Sequence, residues 1–303
     1  MDGVLPLWKN KGMTSHDCVF KVRKLLRTKK VGHTGTLDPE VEGVLPICVG
    51  EATKVVPYLT DTTKTYRATV TLGFSTDTED QTGAVTERQH VESVIEEDVI
   101  EDVLQRFHGE VTQQVPLYSA VKVRGKKLYE YARANEPVER PFRQILIHNI
   151  RFFATTYDKV EKTQSIEFEV TCSKGTYVRT LCVDIGKQLG YPSHMSHLVR
   201  TATGHLSEED TITLEQIADL QDDGEVVPLL PINKVLVHLD ELKVDEPTMQ
   251  KVMNGQKLPL PNPIPTTAYF TITFEDKIVA IYQIHDNKQE IKPARVFRVK
   301  ESR

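Results

Sequence analysis

Asp38 stands in the run Gly32-His33-Thr34-Gly35-Thr36-Leu37-Asp38-Pro39, and of all the side chains in the chain it is the one best placed to do chemistry. A residue before proline is pushed out of the α region towards extended conformations, and the two glycines upstream favour a tight loop that other backbone can approach closely. The carboxylate is therefore expected to project from a loop and not from a helix face. An ionised carboxylate so presented can act as a nucleophile or stabilise positive charge developing on a carbon. Taken alone, an Asp-Pro pair can equally well start a turn. Its neighbours decide between the two.

The segment from Val31 through Asp38-Pro39 to Gly43-Val44-Leu45-Pro46-Ile47-Cys48-Val49-Gly50-Glu51-Ala52-Thr53-Lys54 resembles the signature loop of the TruB family of tRNA pseudouridine synthases. Three further segments match in the same order: Lys64-Thr65-Tyr66-Arg67, then Tyr118-Ser119-Ala120 with the stretch Gly125 to Arg133, and Ser173-Lys174-Gly175-Thr176-Tyr177-Val178-Arg179-Thr180. Two departures are minor: Asn10 follows Lys9 where the family usually has proline, and Val41-Glu42 replaces an Ala-Thr pair.

The resemblance implies an isomerisation in which the bond from uracil N1 to ribose C1′ breaks and C5 is joined to C1′ instead. No electrons change hands and no group leaves, so neither a cofactor nor a metal is needed. The chain has no G-x-x-x-x-G-K-[ST], no G-x-G-x-x-G and no H-E-x-x-H, the motifs that would point to phosphate-loop, dinucleotide or zinc chemistry. By the same resemblance Asp38 is the nucleophile and Arg179 the cation that keeps it ionised in a poorly hydrated pocket. Tyr66 stacks on the base, His33 wedges into the opened RNA, and Leu198 walls the pocket. Lys9, Lys64 and Arg67 are lesser candidates for phosphate or ribose contacts. A uridine inside folded RNA must leave its stack to be reached, so base flipping is implied. The substrate implied is tRNA, at uridine 55 in the T-arm stem-loop. The alternatives are an RNA-guided relative, which would need protein partners, and a non-catalytic RNA-binding or RNA-folding protein.

These residues need elements to position them. Thr14-Ser15-His16-Asp17 reads as a helix start, and Cys18, Val22, Leu25 and Leu26 follow at helical spacing, with Lys21 and Lys24 turned outward. Ala68, Val70 and Leu72 alternate with polar residues, as do Ile166, Phe168, Val170 and Cys172, which predicts two half-buried strands. Tyr66 falls on the apolar side of the first. Ser75 to Gly83 reads as a polar loop, and the acidic stretch up to about Phe107 as a helix remote from RNA. A helix from about Thr180, stopped near Gly190 and Pro192, puts Arg179 at a strand-to-helix junction. The stretch 109–143 interleaves basic residues with Tyr118, Tyr129 and Tyr131, as a segment that contacts phosphates and unpaired bases would.

The fold class expected is α+β: a pseudouridine synthase fold with a central mixed, mainly antiparallel sheet flanked by helices. Residues 1–232 form the catalytic unit, with 109–143 as an RNA-contacting insertion, and 233–303 a small β-rich, PUA-like RNA-binding unit. A hairpin around Glu275-Asp276 belongs to the latter.

A formal net charge of −5 over 303 residues argues against a nucleic-acid partner by its sum, since phosphates are neutralised by Lys and Arg. The distribution reverses this. Positions 21–30 carry six basic residues and no acid, and positions 91–102 six acids and no base, so one face can be electropositive. No apolar run reaches the roughly 18 residues a membrane span needs, and the N-terminus lacks the regions of a signal peptide; a cytoplasmic location is expected. Cys18, Cys48, Cys172 and Cys182 include no C-x-x-C pair and read as reduced, mostly buried thiols. The length fits a stand-alone, monomeric enzyme.

Overall fold

The two-residue alternations around Ala68 and Phe168 become neighbouring strands at the centre of one sheet. A computed structural model describes residues 1–297. In it, Lys64–Leu72 pairs antiparallel with Thr163–Cys172, placing Val170 opposite Tyr66 and Phe168 opposite Ala68. On its other side Lys64–Leu72 pairs antiparallel with Ser193–Thr203, which sets Arg200 opposite Tyr66 and Leu198 opposite Ala68. The sheet continues from Ser193–Thr203 through Glu42–Val49 to Gly3–Lys9, and from Thr163–Cys172 through Phe142–Asp158 to Gly109–Gln114. The pairing of Ser193–Thr203 with Glu42–Val49 is parallel, and the other ladders along this path are antiparallel. The mixed, mainly antiparallel sheet is as the sequence led us to expect.

The helix Ser15–Leu25 starts where Thr14 predicts. Its side chain accepts from the Asp17 amide while the Asp17 carboxylate accepts from the Thr14 amide, which satisfies two amides left free at a helix start. It buries Cys18, Val19 and Val22, with Lys21 and Lys24 exposed. The acidic helix Glu97–Gln105 buries Ile100, Val103 and Leu104. The helix Val178–Leu189 begins two residues earlier than expected and ends on Gly190 at φ 82°, a left-handed cap that glycine adopts without strain. Apolar faces of these helices and of the sheet share one core cluster that includes Val22, Leu104, Phe168 and Leu181. All four cysteines are buried and free.

The expected insertion 109–143 needs a correction at both ends. Gly109–Gln114 is the edge strand of the central sheet, and Phe142 and Arg143 already belong to its partner. An edge strand pairs on one side only and tolerates polar residues such as Glu110, Thr112 and Gln114, which mask its strand character in the sequence. What projects from the sheet is therefore residues 115–141, built around a two-residue ladder at Lys122–Lys127 and the helix Leu128–Ala134.

The C-terminal unit is a five-stranded sheet in the order Asp240–Lys243, Tyr269–Phe274, Lys277–Ile284, Glu290–Val296, Leu258–Pro259. Its hairpin turns at Glu275 and Asp276, both with positive φ, as a tight two-residue hairpin loop requires. The boundary expected after residue 232 falls inside the short helix Ile232–Val235, after its first residue. Val235 and Leu236 lie in a buried cluster shared by both units, with Tyr58 and Leu59 on one side and Ile281 and Phe297 on the other. The two units are thus docked through apolar packing. Among the described residues, no helix is long and apolar enough to cross a membrane. Residues 298–303, the end of the expected 233–303 unit, lie outside the described residues.

Candidate active site

Asp38 sits in the loop between the strands Val31–His33 and Glu42–Val49. The loop is held from three directions. Gly35 takes φ 78°, a region that L side chains rarely enter. Leu37 is buried, its amide donates to Ser15 Oγ at 2.9 Å, and Ser15 Oγ donates back to its carbonyl at 3.2 Å. The ammonium of Lys9 donates to the carbonyls of Asn10 (3.1 Å), Pro39 (3.1 Å) and Val41 (2.6 Å). Lys9 is fully buried, and this burial, opposed by the nearby Cys18, Glu40 and Asp38, pulls its pKa below the ordinary lysine value. The expectation that Lys9 meets phosphate or ribose is therefore wrong: its charge faces inward and ties the Asp38 loop together.

Arg179, in the first turn of the helix Val178–Leu189, is buried. Its Nε lies 3.1 Å from Asp38 Oδ2. Nη1 donates to Thr78 O at 3.0 Å and Nη2 to Tyr118 O at 3.1 Å, and Nη1 stands 3.9 Å from Asp80 Oδ2. Asp80 is in turn fixed through Oδ1, which accepts from Thr78 Oγ1 (2.8 Å), Thr82 N (2.9 Å) and Thr82 Oγ1 (2.6 Å). Residues 75–83, read from sequence as a polar loop, begin in the short strand Phe74–Thr76, which pairs with Val85–Arg88, and then fold back on the site. Glu79 and Gln81 hydrogen-bond the backbone of Met195 in the Ser193–Thr203 strand.

Asp38, Tyr66, Arg179 and Leu198 line one cavity of about 470 Å³, within the roughly 300–1,000 Å³ range of small-molecule sites. Arg200 and Lys64 complete its floor. Tyr66 projects from the buried face of its strand, directly across from Arg200 on the neighbouring strand. Burial raises the phenol pKa, with Arg200 opposing, so at neutral pH the group is a proton donor. Leu198, one pleat from Arg200, gives the cavity an apolar wall. Ser119 also lines it, and its buried hydroxyl has no hydrogen-bond partner. A second cavity of about 380 Å³ lies on the far side of Asp38, Arg179 and Leu198. The carboxylate thus stands between two spaces.

His33 is not among the residues lining the Asp38 cavity. It is half-buried at the end of its strand, and burial, followed by the charges of Arg200 and His16, lowers its pKa, so the imidazole is neutral at neutral pH. Arg67 points to the opposite face of the sheet, paired with Glu167 and stacked 4.4 Å from the Phe153 ring centroid. Two-residue alternation puts Arg67 on the face away from Tyr66, so it is no candidate for this cavity.

Sequence reasoning missed two residues. Arg200 is 1% exposed, with Nε donating to Val44 O at 2.8 Å and Nη2 to Gly35 O at 3.2 Å; the signal was an arginine in phase with apolar Leu198 along a strand. Asp80 gave none beyond its loop, because its role depends on Arg179, a residue distant in sequence.

A carboxylate, a buried arginine, a phenol and a leucine thus surround one cavity. The TruB family pseudouridylate synthase N-terminal domain matches residues 23–178, and the tRNA pseudouridylate synthase B C-terminal domain matches residues 179–242. The chain belongs to the TruB family. TruB-family relatives named tRNA pseudouridine synthase B include one from Oceanobacillus iheyensis, 54% identical with all of both chains covered. Another, from Bacillus velezensis, is 52% identical over 99% of each chain. Among solved structures, an H/ACA RNP bound to a substrate RNA containing 2′-deoxyuridine is similar at TM-score 0.74 and 25% identity, covering 99% of this chain and 86% of that one. A Cbf5-Nop10-Gar1 complex is similar at TM-score 0.73 and 28% identity, covering 99% and 84%. The fold is therefore the pseudouridine synthase fold, and this TruB-family chain carries Asp38, Tyr66, Arg179 and Leu198 in a single pocket.

Proposed function

We propose that the chain isomerises uridine to pseudouridine at position 55 in the T arm of tRNA, with Asp38 as the nucleophile. The observation that carries this reading is the Asp38–Arg179 pair at 3.1 Å, set in a cavity beside Tyr66 and Leu198. Full-length relatives at 51–54% identity, all named tRNA pseudouridine synthase B, support tRNA as the substrate.

Breaking the N1–C1′ bond builds positive charge on the sugar, which an ionised carboxylate stabilises or captures. Arg179 engages Oδ2 and leaves Oδ1 for the substrate. The uridine is flipped out of its stack, its base lying against Tyr66 and Leu198. The detached uracil turns within the cavity so that C5 replaces N1 at C1′. The C5 proton is then removed and N1 gains one, which leaves atoms and electrons balanced without cofactor or metal. His33, outside the cavity, wedges the RNA open. The segment 115–141, with Lys122, Arg124 and Lys127 among tyrosines, supplies phosphate contacts and stacking, and the C-terminal unit acts as a PUA-like RNA-binding module. The enzyme works as a monomer in the cytoplasm, without an obligatory protein partner.

The test is incubation of the purified chain alone with an unmodified T-arm stem-loop, followed by mapping of modified uridines. We expect one pseudouridine, at position 55. Asp38→Asn is expected to abolish product while keeping RNA affinity within about tenfold, roughly 1.4 kcal/mol. Residual turnover in that variant would remove the nucleophile, and a need for guide RNA or added proteins would favour the RNA-guided alternative.

A further inference from the structure

A third cavity, of about 700 Å³, lies where the catalytic unit meets the C-terminal sheet. One wall is the helix Val56–Thr60 with Asp61 and His238, and the other is Tyr269, Gln283 and Arg295. The helix wall is anchored, because Tyr58 and Leu59 are buried in the apolar cluster that docks the two units. Tyr58 holds Tyr269 edge-on, with ring centroids 5.0 Å apart and planes at 76°. The supporting ring is buried, yet Tyr269 remains 38% exposed.

Three features give this cleft a chemical preference. Tyr269 offers an aromatic ring fixed from behind, and Gln283, its cross-strand neighbour, offers an amide beside it. Arg295 is exposed and makes no ion pair among the described residues, so its charge is not spent on holding the fold. A fixed ring, an amide and an uncommitted guanidinium in one recess suit an unpaired nucleotide: the ring for the base face, the amide for its edge, the cation for its phosphate.

The cleft also adjoins the Asp38 cavity. Pro57 and Tyr58 line the cleft, while Thr60, at the end of the same short helix, lines the catalytic cavity. Lys174, on the rim of the catalytic cavity, bridges to Asp61 in the cleft at 2.6 Å. An RNA strand entering one opening therefore passes a lysine on its way to the other. We propose that this cleft is a second RNA subsite, which captures an unpaired nucleotide of the tRNA by stacking its base on Tyr269 and pairing its phosphate with Arg295. The inference rests on the tRNA reading above and adds to it a site outside the cavity in which the isomerisation takes place.

The experiment compares Tyr269→Ala, Arg295→Ala and Tyr269→Phe with the parent enzyme on three RNAs: full-length tRNA transcript, the same transcript without its single-stranded 3′ end, and the isolated T-arm stem-loop. For the alanine variants on full-length tRNA we expect KM to rise about tenfold with kcat unchanged, and Tyr269→Phe, which keeps the ring, to behave as the parent. A rise on all three RNAs assigns the captured nucleotide to the T loop, and a rise confined to the intact transcript assigns it to the 3′ end. Unchanged KM in both alanine variants on every RNA, with the parent active, overturns the proposal. A readout independent of turnover is Tyr269→Trp, whose added indole fluorescence should be quenched by tRNA once the signal of Trp8, the single native tryptophan, is subtracted. Quenching by an unrelated acidic peptide in place of tRNA would assign the cleft to a protein partner and also overturn it. If the parent is inactive on all three RNAs while tRNA still quenches the Tyr269→Trp variant, the isomerase reading fails and the subsite stands.

Discussion

Arg179 reaches Asp38 with a single nitrogen: Nε lies 3.1 Å from Oδ2, while Nη1 and Nη2 donate to the carbonyls of Thr78 and Tyr118. The guanidinium is therefore oriented by the backbone of two loops before it meets the carboxylate, and Asp80, 3.9 Å from Nη1, adds a second negative charge behind it. Lysine has no planar fork to satisfy these directions at once. Arg179→Lys and Arg179→Ala should both lose kcat by about 100-fold or more, near 3 kcal/mol, with KM for tRNA changing far less. Asp80→Asn keeps the shape but removes the charge, and should lower kcat about tenfold, near 1.4 kcal/mol. Single-turnover assays with binding measured separately decide this; a pure binding defect would count against the pair.

Lys9 supports the same carboxylate from below. Replacing it by methionine keeps the apolar stem but strips donors from the carbonyls of Asn10, Pro39 and Val41. Pro39 O keeps the Gly12 amide at 3.0 Å, while acceptors left unmatched cost on the order of 1–3 kcal/mol each, part of which solvent or relaxation recovers. Lys9→Met should lose about 3 kcal/mol of stability, a fall in Tm of roughly 6–10 °C, and reduce kcat more than KM because the Asp38 loop loosens. Thermal unfolding followed by circular dichroism checks the first, and steady-state kinetics the second. An unaltered Tm would mean that the three hydrogen bonds matter little.

Lys64 makes the site pH-sensitive. Its ammonium donates to Thr60 O and Thr62 O, both at 2.6 Å, and burial, followed by the charge of Arg200, pushes its pKa down to about 8. Between pH 7 and pH 9 the cavity floor therefore loses a positive charge, and KM for tRNA should rise about fivefold, near 1 kcal/mol. Lys64→Arg should flatten that limb. The sign of the stability term is opposite: protons bind Lys64 more tightly in the unfolded chain than in the fold, so its titration adds stability from about pH 8 towards 10.5. Weaker binding in this window would then not be unfolding through Lys64. KM against pH, with Tm recorded at each point, separates the two.

Local signals were legible. Thr14 with Asp17 marked a helix start, and the alternations at Ala68 and Phe168 marked strands, because capping and two-residue periodicity are properties of neighbouring residues. The edge strand Gly109–Gln114 was not legible, since a strand paired on one side need not carry an apolar stripe.

The sequence by itself determined the loop that presents Asp38, the alternation that turns Tyr66 inward and Arg67 outward, and the family resemblance that grouped Asp38 with Tyr66, Arg179 and Leu198. Tertiary structure alone decided that Lys9 is a buried clamp, that Arg200 is buried across from Tyr66, that Asp80 backs Arg179, and that a cleft opens between the two units. The physical reason is distance along the chain. Periodicity and capping act over a few residues, whereas each of these contacts joins segments far apart in sequence and exists only once the sheet has set its strand order and register.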